Sequence, residues 1–377
     1  MIRFERRPDR PRLLTASVPA VALAAAAILV GCVLLATGHD PVHTYRSMIQ
    51  AGFTDPGAFS ATLLNATPLL FTGLCAAMAF RMRLYNIGGE GQLYMGAVAA
   101  AGAALALGGR PGPLILAGTI TAGVLGGALW SAVPGVLRAC LNTNEILTSL
   151  MLNYVAGLLA YYLIFDSHSY WRDVTTTSAA VFPQGRTIDT AGWWPPVTLG
   201  GIVLPLGLLV GLGAATALFA ALRWTRFGFQ LRVISDSPEA GRYAGLRTTR
   251  TIVVVMVLSG AFAGFAGASQ VGDFSHTLDP QGLQDASLGY TGIAVAALGR
   301  FNPLAVIGSS LLFGALTNAG FKLQGSAFPQ GLVGITQGIV LFCLLSAELL
   351  TRYRIRRRRP AEQTPEISHV PEPTAKP

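Results

Sequence analysis

The chain is expected to fold as an all-α, polytopic membrane protein with about ten transmembrane helices. Three observations point there. Hydrophobic residues make up 52% of the 377 and charged residues only 12%, against about 25% charged in an ordinary soluble domain. Apolar runs close to the ~20 residues needed to cross a bilayer recur along the chain, and they lack the one-sided periodicity of soluble helices and strands. Basic residues are shared unequally between alternate connections. With the N-terminus placed inside, the inner segments carry 22 of the 27 Lys and Arg and the outer segments 5. That bias is what the retention of arginine-rich loops on the cytoplasmic side produces, and it puts both chain ends there.

The apolar segments fall at 13–36, 58–80, 88–108, 112–137, 145–165, 197–222, 251–271, 288–299, 303–321 and 330–350. The first follows Arg3, Arg6, Arg7, Arg10 and Arg12. It is longer than the apolar part of a signal peptide and ends without a small-x-small cleavage pattern, so it is read as a retained helix. Residues 1–12 are then a basic cytoplasmic N-terminus, 13–350 the membrane domain and 351–377 a cytoplasmic tail. The third segment opens with Asn86-Ile-Gly-Gly-Glu-Gly-Gln92. Its three glycines let the backbone bend and let another chain approach closely. A carboxylate such as Glu90 is costly at a membrane boundary unless something accepts it. This stretch is therefore either a structured start to a helix or part of a permeation path. The fifth segment opens at Glu145, where an acid suits the positive end of a helix.

Two connections are long. The outer one, 166–195, carries Tyr170, Trp171, Phe182, Trp193 and Trp194. Such aromatics suit the headgroup level, and the middle of the loop could dock an extracytoplasmic partner. The inner one, 223–250, is basic and amphipathic. After the last segment, Arg356–Arg359 reads as a stop-transfer anchor touching anionic membrane lipid. The Pro- and Glu-rich remainder has the composition of a disordered tail. The net charge of +9 is thus a topology signal and not one for nucleic acid. The four cysteines have no ligand-like spacing.

The eighth segment is too short to span comfortably and carries Gly289, Gly292 and Gly299. The third, which starts with Gly88, Gly89 and Gly91, runs in the opposite direction. Paired, glycine-interrupted segments of opposite topology point to an inverted repeat around a transport path. Segments 2–5 and 7–10 would form its halves, with 1 and 6 outside. Gly123-x-x-x-Gly127, Gly207-x-x-x-Gly211, Gly260-x-x-x-Gly264 and Gly334-x-x-x-Gly338 argue for a tight bundle without naming a dimer face.

Catalytic and metal patterns are missing. Neither lysine follows a glycine, so there is no Walker A loop. The five histidines form no metal motif, and there is no Gly-x-Ser-x-Gly elbow. The chain is expected to be a transporter without a catalytic site, a metal or a cofactor of its own. Polar residues inside or beside the spans are the path candidates: Asn65, Asn86, Glu90, Gln92, Asn144, Asn153, Tyr154, Gln270, Tyr290, Asn318 and Gln337. Each could instead hydrogen-bond a neighbouring helix. An ion-coupled secondary transporter is the alternative reading, and the scarcity of carboxylates in mid-span counts against it.

Four blocks in a fixed order carry a resemblance: Asn86–Gln92 with Gly96; Asn142-Thr-Asn-Glu-Ile-Leu-Thr-Ser-Leu-Met-Leu-Asn-Tyr154; Ser237-Pro-Glu-Ala-Gly-Arg-Tyr-Ala-Gly-Leu246 with Ser259–Gly264; and Gly289–Gly299. Together they resemble permease subunits of ABC importers for nucleosides and simple sugars, in the branch served by basic-membrane-protein-type binding lipoproteins. The likeness covers roughly residues 55–350. It implies import across a bacterial inner membrane, with ATP used by a separate ATPase subunit, cargo delivered by an extracytoplasmic binding lipoprotein, and a second, related permease in a heterodimer. It also implies a cytoplasmic coupling helix that docks on the ATPase, formed by Ser237, Pro238, Glu239, Ala240, Gly241, Tyr243, Ala244, Gly245 and Leu246. The residues agree: Ser237 can cap a helix that Pro238 starts, and Ala240, Tyr243 and Ala244 then share a face. Gly241 departs from the alanine usual in the family and should weaken the helix.

Overall fold

The computed structural model describes residues 2–6, 12–175, 179, 181–324 and 331–357. Its helices are α1 (Arg12–Ala36), α2 (Pro41–Ile49, continued by a π turn to Thr54), α3 (Ala58–Phe80), α4 (Gly89–Ala106), α5 (Gly112–Leu141), α6 (Glu145–Tyr161, continued to Asp166) and α7 (Leu206–Trp224). After these come α8 (Arg226–Asp236), α9 (Pro238–Tyr243), α10 (Thr248–Ser269, continued to Ser275), α11 (Pro280–Ala286), α12 (Leu288–Leu298), α13 (Pro303–Leu323) and α14 (Gly331–Arg352). Two small hairpins pair β1 (Ile2–Arg6) with β4 (Tyr353–Arg357), and β2 (Val197–Leu199) with β3 (Ile202–Leu204).

Six of the described helices are long and apolar enough to cross a membrane: α3, α5, α6 with its extension, α7, α10 with its extension, and α13. The α12 segment spans 11 residues. At ~1.5 Å per residue it covers about half of a ~30 Å hydrocarbon layer. The α4 segment carries Glu90 and Gln92 but is buried along most of its length, so lipid does not decide its composition.

The centre of the bundle is α3, α4, α5, α10, α12 and α13. Small residues let these helices approach without intervening side chains. A Cβ placed on Gly96 would sit 2.5 Å from the Gly264 backbone, and one on Gly127 would sit 2.3 Å from Gly260 O. Between helices in lipid, such contact supplies dispersion energy that the hydrophobic effect does not. Ser131 Oγ adds a bond to Met256 O at 2.6 Å, tying α5 to α10.

Arg83 lies 3.8 Å from Asp236, Arg138 lines a hollow with Asp236 and Arg242, and Phe301 packs on Phe80. Arg83, Arg138 and Arg242, counted as inside, therefore gather at one end, the basic end. At the opposite end lie α2, the 166–205 segment and α11. There Trp171 Nε1 donates to Val98 O at 2.9 Å, and Trp193 stacks on His276 at 3.9 Å. Hydrogen bonds from the backbone of Ala191 and Gly109 hold the Asp189 carboxyl below its usual range.

The sixth apolar segment begins differently from expectation. Residues 197–204 are a hairpin, and the helix starts at Leu206. Gly200 and Gly201 have φ of +57° and +84°, the conformation a two-residue hairpin turn demands, and Val, Thr and Ile flank them. Apolarity alone does not separate such strands from a helix. The α2 helix, which was not expected, is capped by Asp40 and starts with Pro41. At the chain ends, the two basic flanks pair as β1 and β4. The expected disordered tail lies outside the described residues.

Candidate functional site

The second block of glycines explains itself once α4 and α12 are placed together. Their N-termini meet. Glu90, only 2% exposed, reaches across so that its Oε2 accepts the N–H groups of Gly289 at 2.5 Å and Tyr290 at 3.3 Å. Its Oε1 accepts the Tyr94 hydroxyl at 2.7 Å. A carboxylate thus satisfies the open donors at the start of α12, where the helix dipole also favours negative charge. The contact needs Gly289: a Cβ there would lie 2.3 Å from Glu90 N.

Two amide side chains hold the α4 side of this junction. Asn86 and Gln92 are both buried. Asn86 Nδ2 donates to Gln92 Oε1 at 3.0 Å and to Ser259 Oγ at 2.9 Å, while Gln92 Nε2 donates back to Asn86 Oδ1 at 2.9 Å. Asn86 Oδ1 also accepts Gly88 N–H at 3.0 Å. The turn into α4 is therefore folded into the core by its own side chains. From α6, Asn153 Oδ1 accepts Gly91 N–H at 2.9 Å, and its Nδ2 donates to Ile87 O at 2.9 Å and to the Tyr290 hydroxyl at 3.1 Å. Asn153 touches both helix starts.

Next to the junction lies a cavity of about 540 Å³ towards the end opposite the arginines. It is lined by α3 (Asn65, Pro68), the end of α10 (Gln270, Phe274), α11, α13 (Thr317, Phe321) and α14 (Gly334, Gln337), and it reaches Ser287 and Leu288. Those two residues form the corner between α11 and α12, and Ser287 is left-handed at φ +45°. The cavity therefore ends one residue before the Gly289 N–H that Glu90 holds. Asp279 and Asp285 are its charged side chains; among its described lining residues there is no Lys or Arg.

The expected path residues separate into groups. Asn65, Gln270 and Gln337 line the cavity. Asn86, Glu90, Gln92, Asn153 and Tyr290 build the junction. Tyr154 follows Asn153 but is 62% exposed on the outer side of α6. Asn144 caps α6, its Oδ1 accepting Ile146 N–H at 2.9 Å. Asn318 is buried and donates to Ala51 O and Ala58 O at 3.1 and 3.0 Å, clamping the turn between α2 and α3. Two further polar residues that tie these elements together were not expected. Asp273 lies on the π turn beyond the expected end of the seventh segment, and its Oδ2 accepts Gly207 N–H at the start of α7, at 3.1 Å. Tyr94 could have been found at i+4 from Glu90.

The inner loop forms α8 and α9. Ser237 Oγ accepts Ala240 N–H at 3.2 Å, and Pro238 occupies the first turn. Glu239, Ala240, Arg242, Tyr243 and Ala244 are exposed. Leu246 is partly buried and packs on the core. Gly241 is buried, and a Cβ there would make a tight contact with Ile234 at 3.1 Å.

Comparison with known proteins gives the chain a family. A glucose ABC transporter permease of Haloferax volcanii is 31% identical over 94% of this chain and 93% of its own length. A guanosine ABC transporter permease of Bacillus subtilis is 30% identical, over 88% of this chain and 93% of its own. A nucleoside ABC transporter permease of Lactococcus lactis subsp. cremoris is 27% identical, over 86% and 89%. A solved structure, PsaBC from Streptococcus pneumoniae in complex with Fab, matches 81% of this chain and 95% of that one at 14% identity and a TM-score of 0.41, a likeness too loose to carry an argument. The pattern of the family described as the branched-chain amino acid transport system permease component matches residues 58–345, most of the chain and both halves of the Glu90 junction, so this membrane protein belongs to that permease family.

Proposed function

We propose that this ABC importer permease carries nucleosides or simple sugars through the cavity that ends at Ser287 and Leu288, and that the Glu90 junction is its inner barrier. The observation that carries the reading is the meeting of two helix N-termini at a buried carboxylate beside that cavity. A discontinuous helix at a repeat interface is where transporters place cargo. The volume falls in the range of small-molecule sites, about 300–1,000 Å³. Phe274 and Phe321 offer apolar faces, and Asn65, Gln270 and Gln337 offer both donors and acceptors, a set suited to a neutral polyol or a nucleoside. The names of the relatives, which include nucleoside, guanosine and glucose permeases, support the same substrate class.

The exposed segment Ser237–Leu246 is the coupling element to a separate ATPase subunit, and the chain's family supports both that partner and an extracytoplasmic binding protein. Tyr154 and Tyr290, exposed at one edge of α6 and α12, are where a second permease subunit completes the path; a related, non-identical subunit is the partner proposed. The arginine distribution supports a topology of ten spans with the basic end, both termini and the coupling element on the cytoplasmic side of the inner membrane.

The test is uptake of labelled guanosine and glucose by proteoliposomes holding the whole assembly. Uptake is expected to stop when the ATPase is disabled and to persist when the proton gradient is collapsed. Uptake driven by an ion gradient alone would establish the secondary-transport alternative.

A further inference from the structure

We propose that the basic end holds a binding site for a phosphate group at the start of α10, the chemistry shared by an anionic phospholipid headgroup and free phosphate. The site is far from the cavity described above, and the proposal does not depend on the transport reading.

Four observations converge on it. No side chain caps the N-terminus of α10; Thr248 N–H turns back onto Leu246 O, and this 22-residue helix presents the N–H groups of Thr249 and Arg250 and the positive end of its dipole without a partner among the described residues. Two hollows of about 590 and 520 Å³ flank that terminus, and they share Arg242, Thr248 and Thr249 on their walls. Thr248 is only 6% exposed, and its buried Oγ1 has no hydrogen-bond partner. A buried hydroxyl without a partner costs free energy until something bonds it.

The fourth observation is charge. Arg83 and Arg138, on the far wall, already face Asp236 at 3.8 Å and Glu145 at 3.3 Å. By contrast Arg242, Arg247 and Arg250 are in no ion pair among the described residues, and all three line the second hollow. Three free guanidinium groups, an uncapped helix start and an unpartnered hydroxyl form a donor set without an acceptor. A phosphate supplies the acceptors: helix N-termini hold anions through backbone N–H groups, and Arg pairs with phosphate oxygens in a bidentate manner. The α10 segment is one of the six membrane-length helices, so its start belongs at headgroup level, where basic pockets between helices recognise lipid phosphates.

The full-length permease, placed in nanodiscs of phosphatidylcholine with and without phosphatidylglycerol, tests this by native mass spectrometry of the retained lipid. Wild type is expected to keep phosphatidylglycerol selectively. Thr248→Val, which preserves shape, and Arg250→Gln should each lower retention about tenfold, the scale of one lost hydrogen bond to a charged group. Arg226→Gln, a basic residue of the same end that lines neither hollow, should retain it normally. A second arm adds millimolar inorganic phosphate to detergent-solubilised protein and reads thermal stabilisation. Stabilisation by phosphate that is lost in Thr248→Val, without lipid retention, would keep the site and assign it a soluble occupant. Equal lipid retention and equal phosphate response in wild type and both variants would overturn the proposal.

Discussion

Glu90 carries a role that no neighbour in sequence could reveal. Its type and position are plain in Asn86–Gln92, but the N–H groups that donate to it lie about 200 residues away. The sequence reading held open whether this block is a helix start or a path element. The contacts make it a helix start for two helices at once, and the path role is proposed from the cavity that ends beside it. Removing the carboxylate leaves the buried donors of Gly289 and Tyr290 unmet, at about 1–3 kcal/mol each. We expect Glu90→Ala to lower the melting temperature of the purified permease and to abolish uptake, and Glu90→Gln, which keeps an acceptor oxygen, to recover most of the stability. A Glu90→Ala protein that melts with wild type would show that the junction is held by other contacts. Asn153 bridges the same two helices, so Asn153→Ala should add less than its separate cost to Glu90→Ala, since both variants release one junction.

At the level of elements, the bounds expected for the second segment match α3 at both ends, because long uninterrupted apolar runs between charges allow little else. The hairpin at 197–204, the α2 helix and the depth at which α4 and α12 begin were not legible. Each is decided by local turn chemistry or by burial against distant helices, and hydropathy reports neither. The glycine pairs show the same division. All four were equivalent in sequence, yet Gly123–Gly127 and Gly260–Gly264 pack on one another, while Gly334 and Gly338 meet nothing within 4 Å. This predicts unequal effects of one substitution. Gly264→Ala forces a Cβ to 2.2 Å from Gly123 O, and overpacking a rigid backbone contact costs about 1–3 kcal/mol. Gly213→Ala, on a helix with open space around it, should be neutral or slightly stabilising. Thermal unfolding of the two variants in the same detergent checks the contrast; equal melting points would mean that the α5–α10 contact is looser than described.

For the whole molecule, the question is how an event at the basic end reaches a barrier in the core. The connection is short. The exposed α9 is followed by Gly245 with φ +76° and then by α10, and α10 carries Ser259, which bonds both Asn86 Nδ2 and Cys75 O beside the junction. On the proposed coupling role, a push on α9 would be delivered along α10 to the side chains that hold the start of α4. Tyr243 is 95% exposed, with nothing among the described residues to cover it, and an aromatic side chain so placed is a natural anchor for a partner surface. Tyr243→Ala touches no packed contact and should leave insertion and melting unchanged while weakening ATPase association at least tenfold, the scale of an aromatic anchor. Glu239→Arg, also exposed, should act in the same direction through charge. Gly245→Trp differs in kind: it places a large side chain in a left-handed conformation that glycine alone adopts freely, so it should break the link between α9 and α10 and stop uptake even where the ATPase still binds. Affinity of the purified ATPase for each permease variant, measured beside uptake, separates docking from transmission. ATPase binding at wild-type strength by Tyr243→Ala and Glu239→Arg together would move the docking element away from this segment.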